Sequence, residues 1–246
     1  MLRALRDLPA GEELFVSYNE DAVFVPLRRR RKALESWGFT CRCRRCLAEQ
    51  ELPAELVKRL EEIDAGLEAD ERSTGRLRRR YRALAAMPPA QAARSAHALL
   101  AEVQKMLQGL EAALGPANSG KGPALPDWSR ASVHSAYRLC IACAQMAGDL
   151  STTLQLERTC LAVVEVVRPG GTAHATLAAM HAVDSGACRR VSELAAAKRK
   201  RLAQQEALAR ALRAARTRFG RELSEAAALR LLDRLLKNSL EAAGQR

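Results

Sequence analysis

Residues 41–46 read CRCRRC, three cysteines in six positions with arginine in every gap. Thiolates at C-x-C-x-x-C spacing can reach one metal ion from a single tight turn, at about 2.3 Å per sulfur for zinc. Arg42, Arg44 and Arg45 would offset the negative charge of a zinc–thiolate centre and favour deprotonated Cys41, Cys43 and Cys46. Three thiolates leave a structural zinc site one ligand short of its usual four. No neighbouring cysteine is an obvious fourth, so that ligand is expected at a distant position or outside this sequence. The other cysteines suit a different role. Cys140 and Cys143 form C-x-x-C within a helical pattern, without the strand-to-helix junction a redox motif needs. With Cys160 and Cys188 they read as small buried thiols.

Other chemically capable groups are sparser. Tyr18 ends the strand-favouring run LFVSY, where a phenol either caps a strand in the core or serves a site. GPANSGKG at 115–122 has the frame of a phosphate-binding loop. Gly122 and Pro123 stand where Ser or Thr should follow the lysine, and a helical pattern rather than a strand precedes it. Phosphate binding is therefore rejected. His97, His134, His174 and His181 are scattered; the last two could share a helix face, but nothing completes a site.

The elements that must position these groups are mostly helical. Hydrophobic residues make up 48% of the 246 and aromatics only 4%, with alanine, leucine and arginine prominent, a mixture that favours helices. Leu56, Leu60, Ile63 and Leu67 fall on one helix face, as do Val133, Tyr137, Cys140, Ile141 and Ala144. Gly115 and Pro116 stop one helical stretch, Gly148-Asp149 turns the next, and RPGG at 168–171 ends another. The basic tail from Arg189 reads as one long helix broken near Gly220. Only residues 1–20 look different: PAGEE followed by LFVSY predicts a β-hairpin, which needs a larger sheet for support.

No apolar run approaches the roughly 20 residues of a membrane span, and charges interrupt the N-terminus where a signal peptide has its apolar core. A soluble chain in a reducing compartment, nucleus or cytoplasm, is expected, and an odd count of seven cysteines suits it. The net charge of +12 attracts polyanions or acidic protein surfaces. The runs at 28–32, 76–80 and 198–201 are read first as solvated helix faces and second as nucleic-acid patches, since few aromatics are interleaved for base stacking.

Taken in order, RDLPAGEELFVSY, the basic stretch PLRRRRKALESWGF and CRCRRC resemble the end of a SET domain with its post-SET zinc motif, closest in type to SET and MYND proteins and their fungal relatives. The resemblance covers residues 1–46. It implies a protein-lysine methyltransferase using S-adenosylmethionine. It places Tyr18 beside the target amine and methyl group, Phe39 and neighbouring Trp37 near the cofactor's adenine, and Cys41, Cys43 and Cys46 on zinc. In that family a fourth cysteine comes from an Asn-His-x-Cys segment, which this sequence lacks, as it lacks the Gly-x-Gly cofactor strand. The chain is accordingly expected to be a C-terminal portion that is inactive by itself.

The expected architecture is mainly α: a hairpin remnant of a SET domain and a zinc loop, then a tetratricopeptide-like helical domain. Its segments are the SET end at 1–40, the cysteine motif at 41–47, helices at 48–114, a linker at 115–128, tetratricopeptide-like pairs at 129–187 and basic helices at 188–246. A protein substrate such as a histone, and a peptide in a helical groove, are the partners this implies. The alternatives are a helical adaptor with a structural zinc knuckle, or a basic nucleic-acid-binding module.

Overall fold

The computed structural model describes residues 9–11, 21–67, 75–114, 125–186, 188–196 and 201–244. Among the described residues every regular element is helical. The hairpin expected over 1–20, Tyr18 included, lies almost wholly outside them. A 3-10 turn, Asp21–Phe24, precedes α1 (Leu27–Glu35), α2 (Arg44–Gln50), α3 (Ala54–Leu67), α4 (Arg76–Leu84), α5 (Pro89–Leu114), α6 (Leu125–Ser132) and α7 (His134–Met146). Then come α8 (Leu150–Val167), α9 (Thr172–Gly186), α10 (Val191–Ala196), α11 (Leu202–Phe219) and α12 (Glu225–Gly244). The chain divides into two compact units, with the boundary between Leu156 and Glu157.

In the first unit the helical periodicity does what it promises. Leu56, Leu60, Ile63 and Leu67 are the buried residues of α3, which packs against α4, α5 and α7. Along α5 the buried positions Ala92, Ala96, Leu99, Leu100, Val103, Leu107 and Leu110 repeat at threes and fours. On α7, Tyr137, Cys140, Ile141 and Ala144 are all buried, with Val133 just before them. Full burial of a leucine or isoleucine stabilises by about 1.5–3 kcal/mol, so this seam supplies much of the unit's stability. Polar anchors lock it. Glu111 of α5 accepts both a forked contact from Arg130 of α6 at 2.6–2.9 Å and the Tyr137 hydroxyl at 2.6 Å.

Residues 125–128 are helix, where the composition predicted linker. Pro126 is tolerated in a first helical turn because its missing N–H would go unpaired there, and Asp127 suits the positive end of the helix dipole. Burial of Trp128 then holds α6 in place. Gly148 carries a φ of +73°, the left-handed conformation that ends a helix most cheaply when no Cβ is present. Asp149 caps the next helix by accepting from the Thr152 amide and hydroxyl at 3.0 and 2.6 Å.

The second unit gathers α10, α11 and α12 around α9. Ala175, Ala178, Ala179 and Ala182 on α9 and Ala211, Ala214 and Ala215 on α11 are fully buried, so small side chains meet across that seam. Asp233 of α12 caps α10 through the Val191 amide and Ser192 hydroxyl at 2.8 and 2.6 Å. The break expected near Gly220 falls there, between α11 and α12, at a φ of +129°.

Glu157 of α8 is fully buried beside His181 of α9, its Oε2 3.2 Å from Nδ1. Burial, then the Asp184 carboxyl, push the Glu157 carboxyl up to about 9. Its proton is kept in the folded chain and lost by the unfolded chain above about 4.5, so stability falls as pH rises across that window. His181 has the opposite sense. Burial, then Arg158 and Arg210, lower it, so its contribution is lost as pH falls below 6.5. Glu157→Gln is therefore expected to flatten the alkaline decline in denaturation measured at pH 7 and 8.5, above the His181 window; an unchanged slope would show that Glu157 does not hold the proton.

Candidate metal centre

Cys41 lies in the irregular segment between α1 and α2, Cys43 is the residue immediately before α2, and Cys46 sits in the first turn of α2. The expected tight turn is thus a loop running into a helix. The helix brings Cys46 back over Cys43, and all three sulfurs lie within 4.8 Å of one another. Thiolates sharing one zinc at about 2.3 Å would stand roughly 3.8 Å apart, a difference that small side-chain rotations can close. The donor set, three soft sulfurs, fits zinc. Cys46 is buried, Cys41 half-buried and Cys43 exposed, so the cluster opens on one side.

The surroundings polarise the thiols differently. Burial pushes Cys46 up to about 11 despite the opposing pull of Arg30. Burial also resists ionisation of Cys43, but the Cys46 amide, the Cys41 and Cys46 thiols and the Arg45 amide outweigh it, and its pKa lies below the usual thiol value. A bound cation would deprotonate all three.

Behind the cysteines lies a buried ionic network that the sequence pattern did not reveal. Glu49 of α2 accepts from Arg30 Nη2 of α1 at 2.5 Å and from Arg45 Nε at 2.6 Å. Arg30 also donates to the Val25 carbonyl at 2.7 Å, and its Nη2 lies 3.9 Å from Cys46 Sγ. Arg45, expected to neutralise thiolates, instead reaches away to the Val23 carbonyl at 2.7 Å, the Trp128 carbonyl at 3.2 Å and the Ser132 hydroxyl at 2.8 Å. Arg44 places its guanidinium 5.8 Å from the Trp128 ring centroid. The two arginines between Cys43 and Cys46 therefore hold α6, while Arg30 from the preceding helix faces the sulfur.

A solvated face is the wrong description of the run at 28–32. Arg28 and Lys32 are exposed, but Arg30 is buried, because it falls in phase with Leu27 and Leu34 on the inward side of α1. That phase was the available signal. Arg28 and Arg29 pair with Glu61 and Asp64 of α3. In the second run Arg76 and Arg80 share Glu102, and Leu77 is fully buried. Lys198 to Lys200 lie outside the described residues.

Trp37 and Phe39 flank the loop between α1 and the cysteines and are 57% and 50% exposed, leaving their rings accessible. Cys140 and Cys143 are buried in α7, and burial pushes both thiols up to about 12, as expected of inert packing groups. His174 serves the 168–171 turn, its Nδ1 accepting from the Gly170 amide at 2.9 Å, and His181 pairs with Glu157; the two form no common site. No described helix is long and apolar enough to cross a membrane.

With this geometry in view, two similarities to known proteins bear on the chain. It is 38% identical over 50 residues to a "Methyltransferase" of Gibberella zeae, a match covering 20% of this chain and 7% of that protein. It is also 38% identical over 55 residues to the "N-lysine methyltransferase SMYD2-A" of Xenopus laevis, covering 22% of this chain and 13% of that protein. A short stretch of the chain is thus similar to methyltransferases, one of them a lysine methyltransferase, and the chain spans only a small part of either relative. No family model and no solved structure matches.

Proposed function

We propose that the chain carries the metal-binding end of a SET-type protein-lysine methyltransferase, with Cys41, Cys43 and Cys46 on zinc and Tyr18 beside the accepting amine. The observation carrying this is the convergence of the three sulfurs within 4.8 Å, directly after a loop that exposes Trp37 and Phe39. The partial similarity to methyltransferases supports the same direction. S-adenosylmethionine, when bound, would supply the activated methyl group. The chain's own part is positional. The rings of Trp37 and Phe39 offer apolar faces to an adenine, and the Tyr18 phenol orients a neutral lysine amine without competing as a strong nucleophile. The cysteines would hold their loop in register against the cofactor. A groove of about 550 Å³ lined by Pro26, Leu27, Arg28, Val57, Leu60 and Glu61 gives a peptide partner a place to lie. The Gly148 turn between α7 and α8 is compatible with a tetratricopeptide-like pair.

Nucleic-acid binding draws less support, because Arg28, Arg29, Arg30, Arg76 and Arg80 are already paired with carboxylates of this chain, Arg30 in the interior and Arg28, Arg76 and Arg80 at the surface. The test is transfer of a labelled methyl group from S-adenosylmethionine to a lysine-containing protein by the natural gene product that contains this chain. Tyr18→Phe is expected to lower kcat about 100-fold while leaving metal content unchanged. Undiminished transfer would remove Tyr18 from the site, and no transfer by the unmutated enzyme would remove the methyltransferase function.

A further inference from the structure

We propose that Arg30 is a positioning residue for the metal centre, a fixed guanidinium that donates to Cys46 Sγ and favours a thiolate-rich, net-negative ion cluster. The inference rests on the zinc assignment above and adds a residue far from the cysteine motif. Arg30 lies 16 positions before Cys46, is 6% exposed, and is held from two sides by Glu49 and the Val25 carbonyl. Held so, its Nη2 lies 3.9 Å from Cys46 Sγ, within reach of an N–H···S hydrogen bond.

Charge balance gives that contact its meaning. Arg30 and Arg45 bring two positive charges into the buried network and Glu49 one negative, so this trio carries one positive charge in excess. A buried charge without a counter-charge is strongly unfavourable. Cys46 Sγ, 3.9 Å from Arg30 Nη2, stands in contact with that excess. Zinc held by three thiolates is a net-negative centre, opposite in sign to the excess, and a fourth thiolate would deepen that charge. Arg45 donates to no sulfur: its Nη1 goes to the Val23 carbonyl and its Nη2 to α6 through the Trp128 carbonyl and the Ser132 hydroxyl. Partners of this kind orient ligands and tune the bound metal, and their loss typically weakens metal binding about 10- to 100-fold.

The experiment compares the full chain with Arg30→Met, Arg30→Lys and Glu49→Gln. Zinc affinity is read by competition with a chelator, and the sulfur-to-metal charge-transfer absorption is read after loading with Co²⁺. Arg30→Met is expected to bind zinc about 10- to 100-fold more weakly and to shift the charge-transfer band, since the Cys46 sulfur loses its donor. Arg30→Lys should recover part of the affinity by restoring the charge without the fork. Glu49→Gln, which keeps both guanidinium groups and enlarges the positive excess, should not weaken zinc binding as Arg30→Met does, so it separates loss of the Arg30 donor from loss of the ion pair. Should Arg30→Met fail to fold, Arg30→Gln, which keeps a polar head without the charge, takes its place. Wild-type affinity and an unmoved band in folded Arg30→Met or Arg30→Gln would overturn the inference, leaving Arg30 an ion-pair partner of Glu49 alone. A wild-type chain that takes up neither metal would overturn the zinc assignment itself, and this inference with it.

Discussion

Replacing Glu49 with alanine is expected to destabilise the unit containing residues 21–156 by about 3–5 kcal/mol. The size follows from what the substitution leaves behind. Glu49 is 4% exposed and is the shared acceptor of Arg30 at 2.5 Å and Arg45 at 2.6 Å. Removing it strands two guanidinium groups in a place water cannot reach, and their mutual repulsion is then uncompensated. The effect spreads, because Arg45 also ties α2 to α6 through Trp128 and Ser132. Urea denaturation followed by tryptophan emission in a Trp37→Phe background, where buried Trp128 alone emits, reads this directly. A contrast lies in the same unit. Arg76 and Arg80 also share one carboxylate, Glu102, but on a partly solvated surface. Glu102→Ala is expected to change stability by no more than about 1 kcal/mol. Equal effects of the two substitutions would show that the Glu49 network is not sealed from solvent.

Stripping metal from the zinc-loaded chain should have an effect of similar size on the same unit. A ligand that binds only the folded state stabilises it in proportion to the logarithm of its concentration over its dissociation constant, about 4 kcal/mol at 1,000-fold excess. Cys43 and Cys46 bracket Arg44 and Arg45, so the metal would brace the segment that grips α6. A chelator is therefore expected to lower the urea midpoint reported by Trp128, and Cys46→Ser should abolish the response to zinc. Cys140→Ala, which alters a buried packing thiol on α7, should lower overall stability yet leave the zinc response intact. A chelator with no effect on the wild-type chain would show that the cysteines do not couple metal to folding.

How much of this was legible beforehand depended on the range of the interaction. The buried faces of α3 and α7 follow from local periodicity: Leu56, Leu60, Ile63 and Leu67, then Tyr137, Cys140, Ile141 and Ala144, are where threes and fours put them. The helix break at Gly220 is likewise local. The grouping of Cys41, Cys43 and Cys46 was suggested by spacing, since six residues can fold their sulfurs onto one ion, and the turn into α2 is what closes it. What stayed hidden is non-local. Nothing near Arg30 announces a partner 19 positions away at Glu49, and Arg45 finds the Ser132 hydroxyl 87 positions along the chain. Five consecutive basic residues suggested solvated charge, and only the phase of Arg30 with Leu27 and Leu34 argued otherwise. The start of α6 was obscured by Pro126, a residue read as linker when it was opening a helix. Tyr18 lies outside the described residues, so its role rests on the motif resemblance.

The most direct test of the whole account is the metal content of the purified full chain, measured by elemental analysis after exposure to zinc and removal of the free ion. The account predicts one zinc per chain, and none when Cys41→Ser, Cys43→Ser and Cys46→Ser are combined. A wild-type chain free of zinc, or a triple variant that keeps it, would contradict the assignment of CRCRRC as a metal centre.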